Sequence, residues 1–600
     1  MAGSRPRILF SISSLGLGHA TRTLSIIRAY LPSHDVHVIS SRNALELLRQ
    51  ELGKRATYYD VKDYPPLQRG SGWRHYMYLG IDLIVTIFVI RSEHSFITEL
   101  AHTIQPDAII SDGRYGSYVA GIPSFLVVHQ VSFAMPKGFG FFRGIIDRLN
   151  RKAFSRFDAL FIPDYADPVD NLAGELSHHS MLSSLPHYYV GILSSMQKHE
   201  RKRDIDILFN TGGFLASNKP GLTDVLLDEA RKLHGKKVFV LGNTNGETHH
   251  TVDDPTIEII PFVFGDARHE LFNRARFIVT RGGYTTVMDL VELGIRALLI
   301  PTSGQTEQEY LAQHLSRHER FLALSGDEIS LTDEHFAQPL RAFDPKWKTK
   351  ESIKRITEVV ARATQKRFFS FIIPAHNEEK YISATLESIA ALHYPADRFE
   401  VIVVENGSTD RTREVAEKAL GENGRVYVSG HGVSKARNFG LKQISKESDW
   451  TIFLDADTIL KPDFLRDMDR YFHKHRRDNI SVGTTEVMPL ENTGFKAHSW
   501  FGFYNWGHKL TKTSFAIFFV RSSLCGKLRF DESIYFAEDL KFLKDAQQYG
   551  KFGYIETKSV LTSTRRFDAV GWFKQFIVWN WEALVLARSH RRARVYRVIR

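Results

Sequence analysis

The chain has almost no thiol: a single cysteine, Cys525, in 600 residues. That excludes an intrachain disulfide framework and fits a reducing compartment. Long apolar runs are missing too, since no stretch reaches the ~18 uninterrupted apolar residues that span a bilayer. The longest candidate, residues 78–90 (YLGIDLIVTIFVI), is short, carries Asp82, and reads as a buried helix. At the N-terminus RILFSI (7–12) is too short for the apolar region of a signal peptide and reads as a first strand. No zinc-ligand spacing, RNP motif or helix-turn-helix pattern is present, so nucleic acid is not an expected partner. Internal repeats and low-complexity tracts are absent, and the two ends differ in pattern, which describes a fusion and not a duplication.

What is present is ordinary globular composition, 43% hydrophobic and 24% charged, at a length suggesting about four domains of ~150 residues. The net charge of +11 points to an anionic partner such as acidic lipid or a nucleotide sugar. Positive residues gather beside aromatics. Residues 137–157 (KGFGFFRGIIDRLNRKAFSRF) mix five phenylalanines with six Lys or Arg, and the tail from Phe573 adds two tryptophans and a terminal arginine cluster. Each stretch alone reads equally as an amphipathic core helix with a solvated basic face. Together they read as interfacial anchoring to an anionic membrane surface.

The chemistry centres on Trp450 to Thr458, WTIFLDADT, an apolar run ending in two aspartates. A strand of this kind belongs in an α/β sheet, whose ligands lie beyond the carboxyl ends of the strands. Asp455 and Asp457 therefore sit where a ligand would, and two carboxylates suit Mg²⁺ or Mn²⁺, which completes its shell with substrate phosphates. A lone pair of this spacing reads instead as a polar strand end capping the next helix, so its surroundings decide. Upstream, FFSFIIPAHNEE (368–379) followed by YISATLESIAAL, and FEVIVVENGSTDRT (399–412), form two strand-turn-helix units in succession. SKARNFG (434–440) and FAEDLKFL (536–543) complete the set.

In this order the motifs resemble a family 2, GT-A-fold inverting glycosyltransferase over about residues 366–580. The resemblance implies that Pro374, Asn377 and Glu378 wrap the nucleotide, that Glu405 faces the base with Asn406 beside it, and that Lys435, Arg437 and Asn438 lie near the donor. It assigns Asp455 to the donor ribose and the metal, Asp457 to the metal-bound diphosphate, and Asp539, after Glu538, to the general base that deprotonates an acceptor hydroxyl. The metal would offset charge on the leaving group. Arg565 and Arg566 read equally as phosphate-reaching or as solvated surface.

The first half carries SSLGLGHATRTLSIIRAYL, in which Gly16, Gly18 and His19 read as a flexible turn before a helix from about Thr21. Such a turn admits a ligand to a helix N-terminus; equally, His19 merely caps the helix. DIDILFNTGG (204–213), KVFVLG, IEIIPF, ARFIVTRGGYTTVMDLVELGIRALLIP (275–301) and TEQEYLA (306–312) then repeat strand, turn and helix. This pattern resembles the C-terminal nucleotide domain of a GT-B-fold glycosyltransferase, close to the murein-type N-acetylglucosaminyltransferases of family 28, clearly over about 200–340 and more loosely over 7–195. It implies donor phosphates at Gly282, Gly283 and Thr286, the donor ribose at Asp289, the donor sugar at Glu307 and Gln308, and a base or an acceptor-binding side chain at His19.

The expected organisation is α/β throughout. Residues 1–195 form an acceptor-side Rossmann-like domain and 196–345 a donor nucleotide-binding domain, the GT-B pair. Residues 346–367, charged and free of Pro and Gly, form a helical connector that also crosses back onto the first domain as in relatives. A GT-A domain at 368–575 and a basic amphipathic tail at 576–600 follow. The expected function is a bifunctional inverting glycosyltransferase using nucleotide-sugar donors, UDP-sugars first, on a lipid-linked or cell-surface glycan. The GT-A half takes Mg²⁺ or Mn²⁺ and the GT-B half no metal, with the protein peripheral on the cytoplasmic face of the cell membrane. Two alternatives stay open: one active GT-A transferase with the GT-B half as a docking module, or a processive polymerase of an alternating two-sugar repeat.

Overall fold

The computed structural model describes residues 5–65, 73–132, 143–211, 221–242, 252–263, 265–303, 305–324, 329–344, 346–420, 424–491, 494–534 and 538–565, without the side chains of 73–84. The expected tail at 576–600, Arg566, Gly212 and Gly213, and residues 137–142 of the aromatic-basic stretch lie outside the described residues. The chain divides into two compact units, Met1–Thr364 and Gln365–Arg600.

Unit 1 holds two wholly parallel sheets. The first has β1 (Arg7–Ile12), β2 (Asp35–Ser40), β3 (Ala56–Asp60), β4 (Ala108–Asp112), β5 (Ser124–Val127), β6 (Ala159–Ile162) and β7 (His187–Tyr189), in the order β3-β2-β1-β4-β5-β6-β7. The second has β8 (Ile205–Asn210), β9 (Lys237–Val240), β10 (Ile257–Ile260), β11 (Ala275–Thr280), β12 (Arg296–Leu299) and β13 (Leu322–Ala323), in the order β10-β9-β8-β11-β12-β13. Each order reverses once, at β1/β4 and at β8/β11, which opens a crevice at the carboxyl ends of those strands. Both sheets contribute to one continuous buried cluster, from Phe10 and Ile110 in the first to Leu208 and Ile278 in the second. The helix Thr349–Thr364 belongs to this unit: Ile356 and Val360 enter that cluster, and the Thr349 hydroxyl accepts from the Ser194 amide at 3.0 Å.

Unit 2 is a seven-stranded mixed sheet. β14 (Phe369–Ala375), β15 (Phe399–Glu405), β16 (Gly424–Val428) and β17 (Trp450–Leu454) are parallel, and β17 continues through antiparallel β21 (Ile517–Arg521) to β19 (Ile480–Thr485) and β22 (Lys551–Ile555). A small sheet joins β18 (Thr458–Leu460), β23 (Val560–Thr562) and β20 (Met488–Pro489). The reversal falls at β14/β17. Pro374 is tolerated in a central strand because the β14–β17 ladder ends at Ile372 and Phe453, so its missing N–H faces the crevice and not a neighbour.

Two local expectations change. The helix after β1 spans Leu17–Tyr30, so Gly18 and His19 lie in its first turn and not in a preceding loop. Gly16, at φ +93°, makes the turn, and a Cβ on Gly18 would come within 2.7 Å of the Thr285 hydroxyl, so glycine is what lets this helix start abut the second sheet's layer. The apolar run at 78–90, expected to be buried, belongs to a helix Trp73–Ile104 that packs through Ile97, Ala101 and Ile104, while Val85, Ile87 and Phe88 are exposed. Among the described residues no helix is long and apolar enough to cross a membrane.

Candidate active sites

In unit 1 the reversal at β1/β4 gathers charge. His19, from the helix after β1, meets Asp112, the last residue of β4, at 2.7 Å from Nδ1 to Oδ1. His19 Nδ1 also lies 3.0 Å from Arg22 Nη2, so it stands between a carboxylate that only accepts and a guanidinium that only donates. A Cβ on Gly113, which lies at φ +72°, would come within 2.9 Å of the ring, so glycine there leaves the imidazole its place. The wholly buried Asp112 also accepts from Arg22 Nε at 2.7 Å and from the Thr23 hydroxyl at 2.6 Å. Burial alone would raise its carboxyl, but Arg22 and His19 hold it well below the usual range.

The network crosses to the other lobe. Arg22 donates to His129 Nδ1 at 2.9 Å, and His129 Nε2 donates to Glu307 Oε1 at 2.9 Å, at the start of the helix Thr306–Arg317. The His129 ring stacks on Tyr284, centroids 4.8 Å apart. Burial pushes His129 down, in keeping with a neutral ring that accepts on one nitrogen and donates from the other, while Glu307 is held low against its own burial by His129, Arg22 and His19. Gly282 and Gly283 follow β11 and start the helix Tyr284–Leu293, with Thr286 in its first turn. The first-turn amides and positive dipole end of such a helix start favour an anion.

Two residues expected on the donor point elsewhere. Asp289 is buried, accepting from the Ser194 hydroxyl on one oxygen and from Arg268 at 2.9 Å on the other, because its face of the helix packs on the segment joining the two sheets. Gln308 spends its amide on its own loop, accepting from the Thr302 amide at 3.0 Å and donating to Gln305.

In unit 2 Asp455 and Asp457 leave the end of β17 at the reversal, and the Asp455 amide is held by the Ala516 carbonyl at 3.0 Å. Two arginines serve the carboxylates around them. Arg437, on the helix Val433–Leu441, is buried between the rings of Phe518 and Phe530, each 5.4 Å away, and reaches Glu538 at 2.6 Å and Asp455 at 3.6 Å. Arg565 reaches Asp457 at 2.9 Å and Glu378 at 3.2 Å, its guanidinium 4.1 Å over Tyr381. Asp539 begins the helix Glu538–Gln547 and accepts from the Ser514 hydroxyl at 2.9 Å. Burial and then the adjacent Glu538 push its carboxyl up, the direction that suits a base working near neutral pH.

The nucleotide-side residues pin the turns together. Asn377, at φ +57°, accepts from the Thr409 amide at 2.8 Å, and Glu405 caps its own turn through the Ser408 amide. Lys435 is exposed. Asn438, expected near the donor, is instead spent on the following segment: its amide exchanges hydrogen bonds with the Phe530 backbone at 2.8 and 2.9 Å, since its helix face packs there. Asn406 Oδ1, Ser434 Oγ and Arg437 Nε are buried without a partner among the described residues, as groups waiting for a ligand are.

Asp455 and Asp457 supply the hard oxygens that Mg²⁺ or Mn²⁺ prefers. Among the described residues no group of three His, Cys, Asp or Glu converges on a metal position; Asp455 and Asp457 are the carboxylates that would hold one.

Asp112, Arg22, His129 and Ser514 were not singled out in the sequence. IISDG and FLVVHQ carry the same sign as WTIFLDADT, an apolar strand ending in a polar side chain, and Arg22 stands one helical turn after His19. Ser514 follows the helix Phe495–Thr511, in a stretch without a motif.

Two families match. The "Glycosyltransferase family 28 C-terminal domain" matches residues 217–363 and "Glycosyl transferase family 2" matches residues 370–530. Poly(ribitol-phosphate) beta-N-acetylglucosaminyltransferase TarS of Staphylococcus aureus strain Mu50 is 33% identical over 118 residues, 19% of this chain and 20% of that protein. Minor teichoic acid biosynthesis protein GgaA of Bacillus subtilis strain 168 is 30% identical over 199 residues, 29% of this chain and 42% of that protein. Among solved structures, the glycotransferase of kitacinnamycin is 13% identical with a TM-score of 0.40, covering 60% of this chain and 96% of that one. The chain thus spans only a fifth to two fifths of the length of these curated relatives. By its family matches it joins a glycosyltransferase family 28 C-terminal domain to a glycosyl transferase family 2 domain.

Proposed function

We propose that the chain is a bifunctional inverting glycosyltransferase, each unit moving one sugar from a UDP-sugar to a lipid-linked or cell-surface glycan. The observation that carries this reading is that each unit sets a titratable side chain beside a counter-charge near the reversal of its own sheet: His19 against Asp112 in unit 1, and Asp539 beside Arg437, which itself reaches Asp455 at the end of β17, in unit 2. The names of TarS and GgaA add poly(ribitol-phosphate) and teichoic acid as candidate acceptors.

In unit 1 the donor diphosphate lies at Gly282, Gly283 and Thr286, and Glu307 accepts from the donor sugar. His19 Nε2 takes the acceptor hydroxyl proton as that oxygen attacks the anomeric carbon opposite the leaving diphosphate. Asp112 holds the tautomer and stabilises the imidazolium that results. In unit 2 Asp539 takes the proton, Ser514 orients its carboxylate, and Asn377, Glu405 and Asn406 frame the nucleotide. A divalent cation held by Asp455 and Asp457, when bound, would offset charge on the departing diphosphate. In both units attack from the opposite face turns an α-linked donor into a β-linked product.

Membrane docking is supported by the helix Arg143–Phe154, which exposes Ile145 and Leu149 beside Arg148, Arg151 and Lys152. Vesicle binding that requires anionic lipid and weakens with salt is expected; equal binding to neutral vesicles would remove this part of the reading.

The test of bifunctionality uses the full chain, a panel of nucleotide sugars and nucleoside diphosphate release. His19→Ala and Asp539→Asn should each remove a different transfer. Loss of one and the same transfer by both variants would overturn two independent sites, and long products with two donors supplied would favour a processive polymerase.

A further inference from the structure

We infer that Arg565 is an internal stand-in for the divalent cation of unit 2, which it occludes until a nucleoside diphosphate draws it away. The inference rests on the proposed roles of Asp455 and Asp457. Arg565 is 2.9 Å from Asp457 Oδ2 and within 3.3 Å of both Glu378 oxygens, so one guanidinium bridges two carboxylates drawn from the loops after the first and fourth parallel strands. A divalent cation on Asp457 would sit about 2.0–2.1 Å from the same carboxylate, beside a positive charge already bonded to it. The two occupants repel, and the carboxylate cannot serve both fully.

The two arginines of the site differ in how they are held. Arg437 is 9% exposed at its side chain and clamped between two aromatic rings, which fixes it as a permanent counter-charge. Arg565 is 25% exposed, with the Tyr381 ring beneath it and Asp457 and Glu378 as its charged partners among the described residues. An arriving diphosphate offers its planar guanidinium fork a bidentate anion at least as good as the one it leaves. Its departure frees Asp457 for the cation, and the cation and guanidinium then share the diphosphate's charge instead of contesting the aspartate. Cation and diphosphate thereby bind with positive coupling, and by linkage each raises the affinity of the other by the same factor.

The experiment is Mn²⁺ binding to the full-length protein, followed by the paramagnetic resonance signal of free Mn²⁺, with and without UDP. In the parent, UDP should tighten Mn²⁺ binding by a factor in the roughly 5- to 150-fold range typical of coupled sites. Arg565→Ala should bind Mn²⁺ more tightly without UDP and lose most of the enhancement, whereas Arg565→Lys, which keeps a charge near Asp457, should retain weak donor-free binding. Donor-free Mn²⁺ affinity equal in parent and Arg565→Ala, including no binding by either, overturns the exchange. Asp457→Ala separates the two layers: if it leaves Mn²⁺ binding intact, the metal assignment itself falls, while loss of binding there with no effect of Arg565→Ala removes only the exchange.

Discussion

The base proposed for unit 1 is an imidazole whose supporting carboxylate is held low by Arg22 and His19, while the base proposed for unit 2 is itself a carboxyl that burial and a like charge push up. The same physical quantity, the cost of a buried negative charge, is thus used in opposite directions. In the proposed reading Asp112 serves ionised, to orient the imidazole and to stabilise it once protonated, and the raised carboxyl of Asp539 brings its proton affinity closer to ambient pH, where a proton acceptor works best. Counter-charge is arranged differently as well: Arg22 is locked into a hydrogen-bonded chain reaching Glu307, whereas Arg565 rests on the very carboxylate a cation would need.

The contrast predicts separable failures. Asp457→Ala has the largest expected effect: transfer by unit 2 is abolished and transfer by unit 1 is unchanged, read as release of nucleoside diphosphate from each unit's donor. A parallel loss in unit 1 would break the separation. Next, Asp112→Asn should lower unit 1 turnover by about 10⁴-fold, the loss seen when an orienting carboxylate no longer sets the tautomer of a catalytic histidine. It should also lower the melting temperature of unit 1, since buried Arg22 loses its charged partner. Turnover within tenfold of the parent would show that His19 does not depend on Asp112.

Asp539→Asn should lower unit 2 turnover by about 10²- to 10⁴-fold with donor affinity little changed. The parent's unit 2 rate should fall as pH drops through a pKa raised above the ordinary carboxylate value, because only the ionised form accepts a proton. The smallest effect belongs to Ser514→Ala. Its hydroxyl favours the ionised carboxylate, so its loss should shift that acid limb to higher pH by less than about one unit, from a hydrogen bond of roughly 1 kcal/mol. A limb that does not move, or moves down, would remove Ser514 from the site.

Much of this was legible because buried parallel strands write themselves as apolar runs and their carboxyl ends announce a site. That logic found Asp455 and Asp457, and the families read from the motifs are the families that match. It stopped where a residue's partner comes from a distant part of the chain. Nothing local to Asp289 says that Arg268 and Ser194 will take both its oxygens. His129 was hidden for the same reason, because its meaning lies in Arg22 and Glu307, 107 and 178 residues away. The start of the helix at Leu17 was missed because two glycines outweigh local propensity, until packing against Thr285 is taken into account.

The lone cysteine noted at the outset has a practical sequel. Cys525 is buried, and burial pushes its thiol up to about 11, so at neutral pH only about one molecule in 10⁴ carries the reactive thiolate there. The natural chain is therefore nearly silent toward maleimides and iodoacetamides. A cysteine pair placed on exposed positions of the two lobes of unit 1 can carry spin labels or fluorophores with the native residue left in place, and the distance across the His129–Glu307 bridge becomes readable as donor is added.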